Sequence, residues 1–253
     1  MASRIRDIID ARPRFSQADA VRLNTLFRGT DTKDMLATVI GDRLVGESAI
    51  VSSFGAESAV LLHLVTRFAP ELPVLFLDTG KHFPETLAYR DQLAGKLGLN
   101  IVTLQPDADE LAARDENGLR WSYDPDGCCE LRKVKPLAQA VKELDATFTG
   151  RKGFQSATRT GLPRFEIDTT DAEGRLKVNP LANWTKADLD AYFEAHDLPR
   201  HPLEADGYPS IGCAPCTSKV MPGEDPRAGR WRGWEKVECG IHLPEKPGEE
   251  PAF

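Results

Sequence analysis

An α/β fold with a mostly parallel, open sheet flanked by helices is the architecture the sequence predicts, and three observations carry it. From Ser48 onward short apolar runs (AIVSSF, VLFLDTG and NIVTL) alternate with helical stretches (SAVLLHLVTRF and PETLAYRDQLAGKLG), as in strands joined by crossover helices. The runs are almost wholly apolar, as parallel strands buried on both faces should be. A composition of 253 residues with 41% hydrophobic and 28% charged positions supplies one sizeable core.

The elements follow in order. Residues 1–45 read as a helical lead-in: Ser16 and Asp19 stand in capping-box spacing before VRLNTLF, and Asp31 is placed similarly ahead of MLATVIG. Residues 46–197 form the α/β core, with ATFTG at 146–150 as a strand after a helix beginning near Pro136, then LKVNPL and a helix around KADLDAYFEAH. Beyond Asp197 regular periodicity stops, and 198–253, rich in Pro, Gly, Trp and Arg, read as a loop-rich functional tail of the same single domain.

Lysine and arginine total 32 against 39 acids, a net charge of -7, so no nucleic-acid partner is expected and an anionic ligand must be held by a local cluster. No apolar run approaches the roughly 18 residues of a membrane span. The opening MASRIRDIIDARPR lacks a signal-peptide core, and Asp7 and Asp10 argue against a mitochondrial presequence. A cytoplasmic protein with no membrane partner is the expectation.

Its five cysteines divide into the tandem pair Cys128 and Cys129, the CxxC pair Cys213 and Cys216, and the single Cys239. In a reducing compartment two pairs suit zinc or an iron-sulfur cluster better than disulfides. Adjacent Cys128 and Cys129 would crowd one tetrahedral ion, whereas a cubane offers neighbouring thiolates separate irons, which favours [4Fe-4S]. The fifth cysteine is then free to react.

The first strand runs into Ser52, Ser53, Phe54, Gly55, Ala56, Glu57 and Ser58 before a helix, an arrangement in which free N-H groups and the helix dipole can seat an anion. It is neither GxGxxG nor a Walker A loop. The second strand ends in Leu77, Asp78, Thr79 and Gly80, and ligands on open parallel sheets lie beyond the carboxyl ends of strands, so both loops should border one crevice. Positive charge could come from Arg132, Lys133 and Lys135 after the cysteine pair, from Arg227, Arg230 and Arg232 after CxxC, and from Arg159. Lys135 and Arg232 read equally well as solvated. Cys239 sits in ECGIH within an aperiodic segment, read as exposed and mobile; nearby arginines and His242 would favour its thiolate and Glu238 would oppose it.

On SSFGAES, LDTG, CCELRKVKP, the FQSATR stretch, KVNPLANWT, SIGCAPCTSKVMPGEDPRAGRW and ECGIHL, the chain resembles the bacterial iron-sulfur type of assimilatory adenylyl-sulfate reductase, from about residue 45 to His242. The resemblance implies an adenine-nucleotide alpha-hydrolase-like (Rossmann-like) nucleotide-binding core and a [4Fe-4S] cluster on Cys128, Cys129, Cys213 and Cys216. It implies that Cys239 attacks the sulfur of adenosine 5'-phosphosulfate (APS), leaving a cysteine S-sulfonate, with His242 in support. It assigns substrate contacts to Ser52, Ser53, Gly55, Leu77, Thr79, Lys133, Arg159, Arg227 and Arg230. Thioredoxin or glutaredoxin is the implied thiol donor, the chain ending at Phe253 without a thiol-reductase domain. Where many relatives carry Leu-Arg-Arg after Thr149 and Gly150, this chain has Arg151, Lys152 and Gly153, and these contacts stay unassigned. Three rivals remain: reduction of the 3'-phosphorylated substrate (PAPS), iron-sulfur tRNA thiolation, and a zinc-stabilised nucleotide-binding module with an inert Cys239. The oligomeric state is open, a homo-oligomer included.

Overall fold

The computed structural model describes residues 14–155, 159–236 and 238–241. The strands are β1 (Ser48–Val51), β2 (Val74–Leu77), β3 (Ile101–Leu104), β4 (Ala146–Thr149), β5 (Phe165–Ile167) and β6 (Leu176–Val178). They form one sheet of six strands in the order β3-β2-β1-β4-β6-β5, parallel except for β5 against β6. Every residue of β2 and β4 is buried, as the apolar runs require. Since β1 lies between β2 and β4, the connections leaving its two sides diverge there and open a crevice at the carboxyl ends of β1 and β4.

Helices cover the sheet. The lead-in supplies α1 (Gln17–Leu26), with the Ser16/Asp19 capping box formed, and α2 (Thr32–Gly41), where Asp31 accepts from the Lys33 N-H. Helix α3 (Ser58–Thr66) is apolar nearly all round and buried in the core; α4 (Pro84–Leu97) starts on a proline and ends on Gly98 in the left-handed conformation. Next come α5 (Ala108–Arg114), α6 (Pro125–Cys129), α7 (Lys135–Ala140), α8 (Lys186–Ala195) and the single-turn α9 (Pro202–Ala205). Between α6 and α7 the chain makes a π-helical turn, Glu130–Val134, a widening often found at functional sites.

Strand β5 has no counterpart in the sequence reading. Only three residues long, it is paired on one side by β6 and closed on the other by the Asn24 side chain, which donates to Phe165 O (2.7 Å) and accepts from Phe165 N (3.1 Å). A side-chain amide thus covers a sheet edge that would otherwise be open.

The β5–β6 hairpin is held by a buried ion cluster: Asp168 receives Arg175 Nη2 at 2.9 Å and Lys177 Nζ at 2.6 Å. Burial raises the Asp168 carboxyl pKa, but Lys177 and the hydrogen bonds from Thr170 together outweigh it and the net shift is downward. A carboxyl held below its unfolded value stabilises above that value and loses the contribution as pH falls through the folded one. Asp168→Asn leaves buried Lys177 without its carboxylate and Arg175 with Asp171 alone (3.2 Å), and is expected to cost about 3 kcal/mol at neutral pH, read as a lower urea midpoint.

Candidate active site

At the switch point a single cleft is lined by Ser52, Ser53 and Gly55 after β1, Leu77, Thr79 and His82 after β2, and Thr149, Gly150, Arg151 and Lys152 after β4. Its remaining wall comes from Arg159, further along the chain after β4, and from the cysteine-bearing segments, with Lys133, Cys213, Arg227, Arg230, Trp231, Glu238 and Cys239. Every substrate-contact position expected from the sequence therefore lies on one surface, together with the expected nucleophile. His242 lies outside the described residues.

Local structure explains the convergence. After β1 the chain turns at Phe54, a non-glycine residue at φ 49, whose N-H donates to Ser52 Oγ (3.2 Å) and whose buried ring packs edge-on to Phe76 at 5.5 Å. That packing holds a costly backbone conformation beside the helix start. The first helical residues of α3 follow Glu57 rather than a serine cap, so the anion seat of the sequence reading carries a carboxylate, paired with buried Lys152 at 2.8 Å.

The loop after β2 is tied to both cysteine segments. Arg132 donates to Thr79 O (2.8 Å) and to buried Asp115 (2.7 and 3.1 Å), which braces the loop against the turn following Cys129. On the other side His82 forms a β-bridge with Cys213, and the Ala214 N-H donates to Lys81 O at 2.7 Å. Beyond CxxC the chain folds back on itself, with Thr217 bridging Arg230 and Ser218 N donating to Gly229 O at 2.8 Å. A Cβ on Gly229 would stand 2.1 Å from Ser218 O, so this return needs glycine. Arg227 and Arg230 thereby reach the cleft beside Cys213.

Cys128, Cys129 and Cys213 are buried and Cys216 is half-buried. They act on one another electrostatically: Cys128 feels Cys213 and Cys216, and Cys129 feels Cys213 and Cys239. Burial pushes the Cys129 thiol up to about 11. Burial also opposes the Cys213 thiolate, but Lys133, a hydrogen bond with Thr79 (Oγ1 to Sγ 3.3 Å) and Arg230 outweigh it and lower its pKa. Burial disfavours the Lys133 ammonium in turn, yet the sulfurs of Cys213, Cys239 and Cys129 hold its pKa above the ordinary lysine value. One cation thus couples the paired cysteines to the single one. Among the described residues no group of three or more His, Cys, Asp or Glu side chains is gathered to hold one metal ion. A tetrahedral ion needs its sulfurs roughly 3.8 Å apart, whereas a cubane spreads thiolates over separate irons.

The basic residues differ in what they already bind. Lys135 pairs with Glu110 and Arg232 with Glu224, both exposed and off the cleft wall, and Arg159 and Arg227 both reach Glu238. Among the described residues Lys133 and Arg230 have no carboxylate partner. His82 Nδ1, Arg151 Nε, Arg230 Nε and Trp231 Nε1 are buried without hydrogen-bond partners among the described residues, and all four side chains belong to the cleft lining. Such a concentration of unmet polar atoms marks a place that a polar ligand or water completes. Trp231 underlies this wall, its ring 4.5 Å from the Arg230 guanidinium and 5.9 Å from that of Arg227.

One expectation needs correction: Cys239 is not exposed but half-buried in the cleft wall, beside Glu238, which pairs with Arg159. Arg151 and Lys152, left unassigned, line the cleft, with Arg151 paired to Glu166. Sequence reasoning also missed His82, Gln155 and Trp231 as lining residues, although Gln155 stands in the quoted FQSATR stretch and Trp231 at the end of the CxxC run.

Comparison with known proteins places the chain among named relatives. Curated relatives named adenosine 5'-phosphosulfate reductase include one from Chelativorans sp. strain BNC1, 56% identical over 79% of this chain and 80% of its own length. Another, from Mesorhizobium japonicum, is 48% identical over 89% and 88%. Among solved structures, the phosphoadenylyl-sulfate reductase of Candida auris, in a phosphate complex, superposes with TM-score 0.68 at 26% identity over 81% of this chain and 98% of its own. Yeast FAD synthetase, at 18% identity and TM-score 0.53 over 81% of this chain and 69% of its own, shares the fold alone, that of the adenine-nucleotide alpha-hydrolases. The phosphoadenosine phosphosulfate reductase domain model matches residues 47–219, from the first strand through the CxxC turn, and the chain belongs to that family.

Proposed function

We propose that this enzyme reduces adenosine 5'-phosphosulfate to sulfite and AMP in sulfate assimilation, through an S-sulfonate on Cys239. One observation carries the reading: Cys239 shares a cleft wall with Lys133 and Arg230, cations without a carboxylate partner among the described residues. The relatives' names support APS as the substrate.

The nucleotide lies over the carboxyl ends of the strands, its phosphate against Ser52, Ser53 and Gly55, and Leu77 and Thr79 on the nucleotide side. Lys133 and Arg230 face the phosphosulfate oxygens, with Arg159 and Arg227 behind them. The Cys239 thiolate attacks sulfur, an S-S bond forms, and the bridging O-S bond breaks with its electron pair leaving on AMP. Placed cations neutralise the charge building on the leaving oxygen, and the fixed thiol removes the entropic cost of encounter. A dithiol protein, thioredoxin or glutaredoxin, then attacks Cys239 sulfur. Sulfite departs with the bonding pair, and the donor's second thiol resolves the mixed disulfide, so two thiols are oxidised as sulfur(VI) becomes sulfur(IV).

Cys128, Cys129, Cys213 and Cys216 fit a [4Fe-4S] cluster in donor type and burial, with Thr79 and Lys133 as surrounding hydrogen-bond partners. The cluster would supply fixed charge and cross-linking of the two cysteine segments. No helix in the described residues is long and apolar enough to cross a membrane.

Anaerobically purified protein incubated with APS and no thiol donor should gain one sulfonate by intact mass and release an equivalent of AMP. Absence of that adduct would sink the reading, and faster adduct formation with PAPS would reassign the substrate.

A further inference from the structure

Glu238 immediately precedes the proposed nucleophile, and its carboxylate is fully engaged. It is 8% exposed. Arg159 donates Nε (3.0 Å) and Nη2 (2.7 Å) to Oε1, and Arg227 donates Nη2 to Oε2 at 3.2 Å. Arg159 is itself oriented through Nη1, which donates to Gln155 Oε1 at 2.6 Å. The two arginines reach this point from different parts of the chain, Arg159 from beyond β4 and Arg227 from the return after CxxC. One carboxylate therefore joins three segments. On the other flank Lys236 pairs with Asp126 on α6.

We propose that Glu238 is a positioning residue that docks the Cys239 segment in the cleft by bridging Arg159 and Arg227. This inference rests on the reading of Cys239 as nucleophile. Residues adjacent along the chain are only 3.8 Å apart at Cα, so clamping the carboxylate of one restricts where the thiol of the next can reach. Charge-assisted, bidentate bonds are the strong and directional kind, suited to fixing geometry. The basic residues then divide by task. Arg159 and Arg227 hold the tail, while Lys133 and Arg230 stay open to the substrate's anionic oxygens. The acid beside the thiol meets two guanidinium groups.

The test is Glu238→Gln in the full-length holoenzyme, with Glu238→Asp as the variant that keeps the charge. Under single turnover at saturating APS, Glu238→Gln should form the Cys239 adduct about 10- to 100-fold more slowly. Its affinity for AMP should stay within about threefold of wild type, and Glu238→Asp should fall between the two. Iodoacetamide, which is neutral, should alkylate Cys239 several-fold faster in Glu238→Gln because the segment is undocked, roughly in proportion to the population opened. Sulfonation of Glu238→Gln at the wild-type rate, or unchanged alkylation, would overturn the proposal. If wild type itself takes up no sulfonate, the catalytic reading has failed, and the alkylation rates still decide docking. If Glu238→Gln does not fold, Glu238→Asp carries both measurements, and wild-type rates in it overturn the proposal.

Discussion

Cys239→Ser is expected to lower steady-state sulfite production by a factor on the order of 10⁴ or more, while AMP affinity stays within about twofold. The asymmetry follows from where the side chain sits. Cys239 lines the cleft beside the cations but is not one of the groups expected to bind the nucleotide. Serine is nearly isosteric, so the docking of Glu238 on Arg159 and Arg227 should survive the change. What disappears is the proposed soft nucleophile: a hydroxyl is almost wholly protonated near neutral pH, whereas a free thiol, of pKa about 8.5, is a few per cent thiolate. The paired cysteines are untouched, so a cluster held on them as proposed should be retained, read as iron content equal to wild type. Sulfite release by a thiol-coupled assay, with AMP binding by calorimetry, separates the two effects. Retained turnover above about 1% of wild type would require another residue to accept the sulfonate.

How much of this site could be read from the sequence depended on whether its determinants are local. The loops after β1 and β2 were legible because a buried parallel strand ending in Ser, Gly or Thr announces itself within a few residues, and β2 and β4 were clear because all their side chains are buried. Cysteine spacing marked the other wall in the same way. Strand β5 was not legible, since Phe165–Ile167 is short and its outer edge is satisfied by Asn24 from a distant helix. Nor were the pairings of Glu57 with Lys152 or Glu238 with Arg159, which join residues 95 and 79 positions apart with no spacing rule between them. That second pairing is why Cys239 read as exposed: a segment without periodicity gives no sign of burial, yet a buried ion pair beside it supplies one.

Arg230→Met is expected to weaken binding of APS about 100-fold and to weaken binding of adenosine, which lacks the anion, by less than about twofold. Methionine keeps much of the apolar stem that packs on Trp231 while deleting the guanidinium, whose Nε is buried without a partner among the described residues. In the substrate-free chain the guanidinium has no carboxylate partner among the described residues and rests on Trp231, so its removal should cost less stability than Asp168→Asn. A second variant perturbs the same group without removing it. A Cβ on Gly212 would stand 2.1 Å from Arg230 Nη2 and 2.4 Å from Cζ. Gly212 is not among the glycines with positive φ, so alanine suits its backbone, and the clash is relieved by moving the flexible end of an arginine. Gly212→Ala should therefore cost little stability but shift the guanidinium by an ångström or so, which lowers APS affinity about 10-fold or more. Competition binding of APS, AMP and adenosine, alongside urea denaturation, checks both variants. Equal losses for adenosine and APS would mean that Arg230 shapes the cleft and does not read the anion.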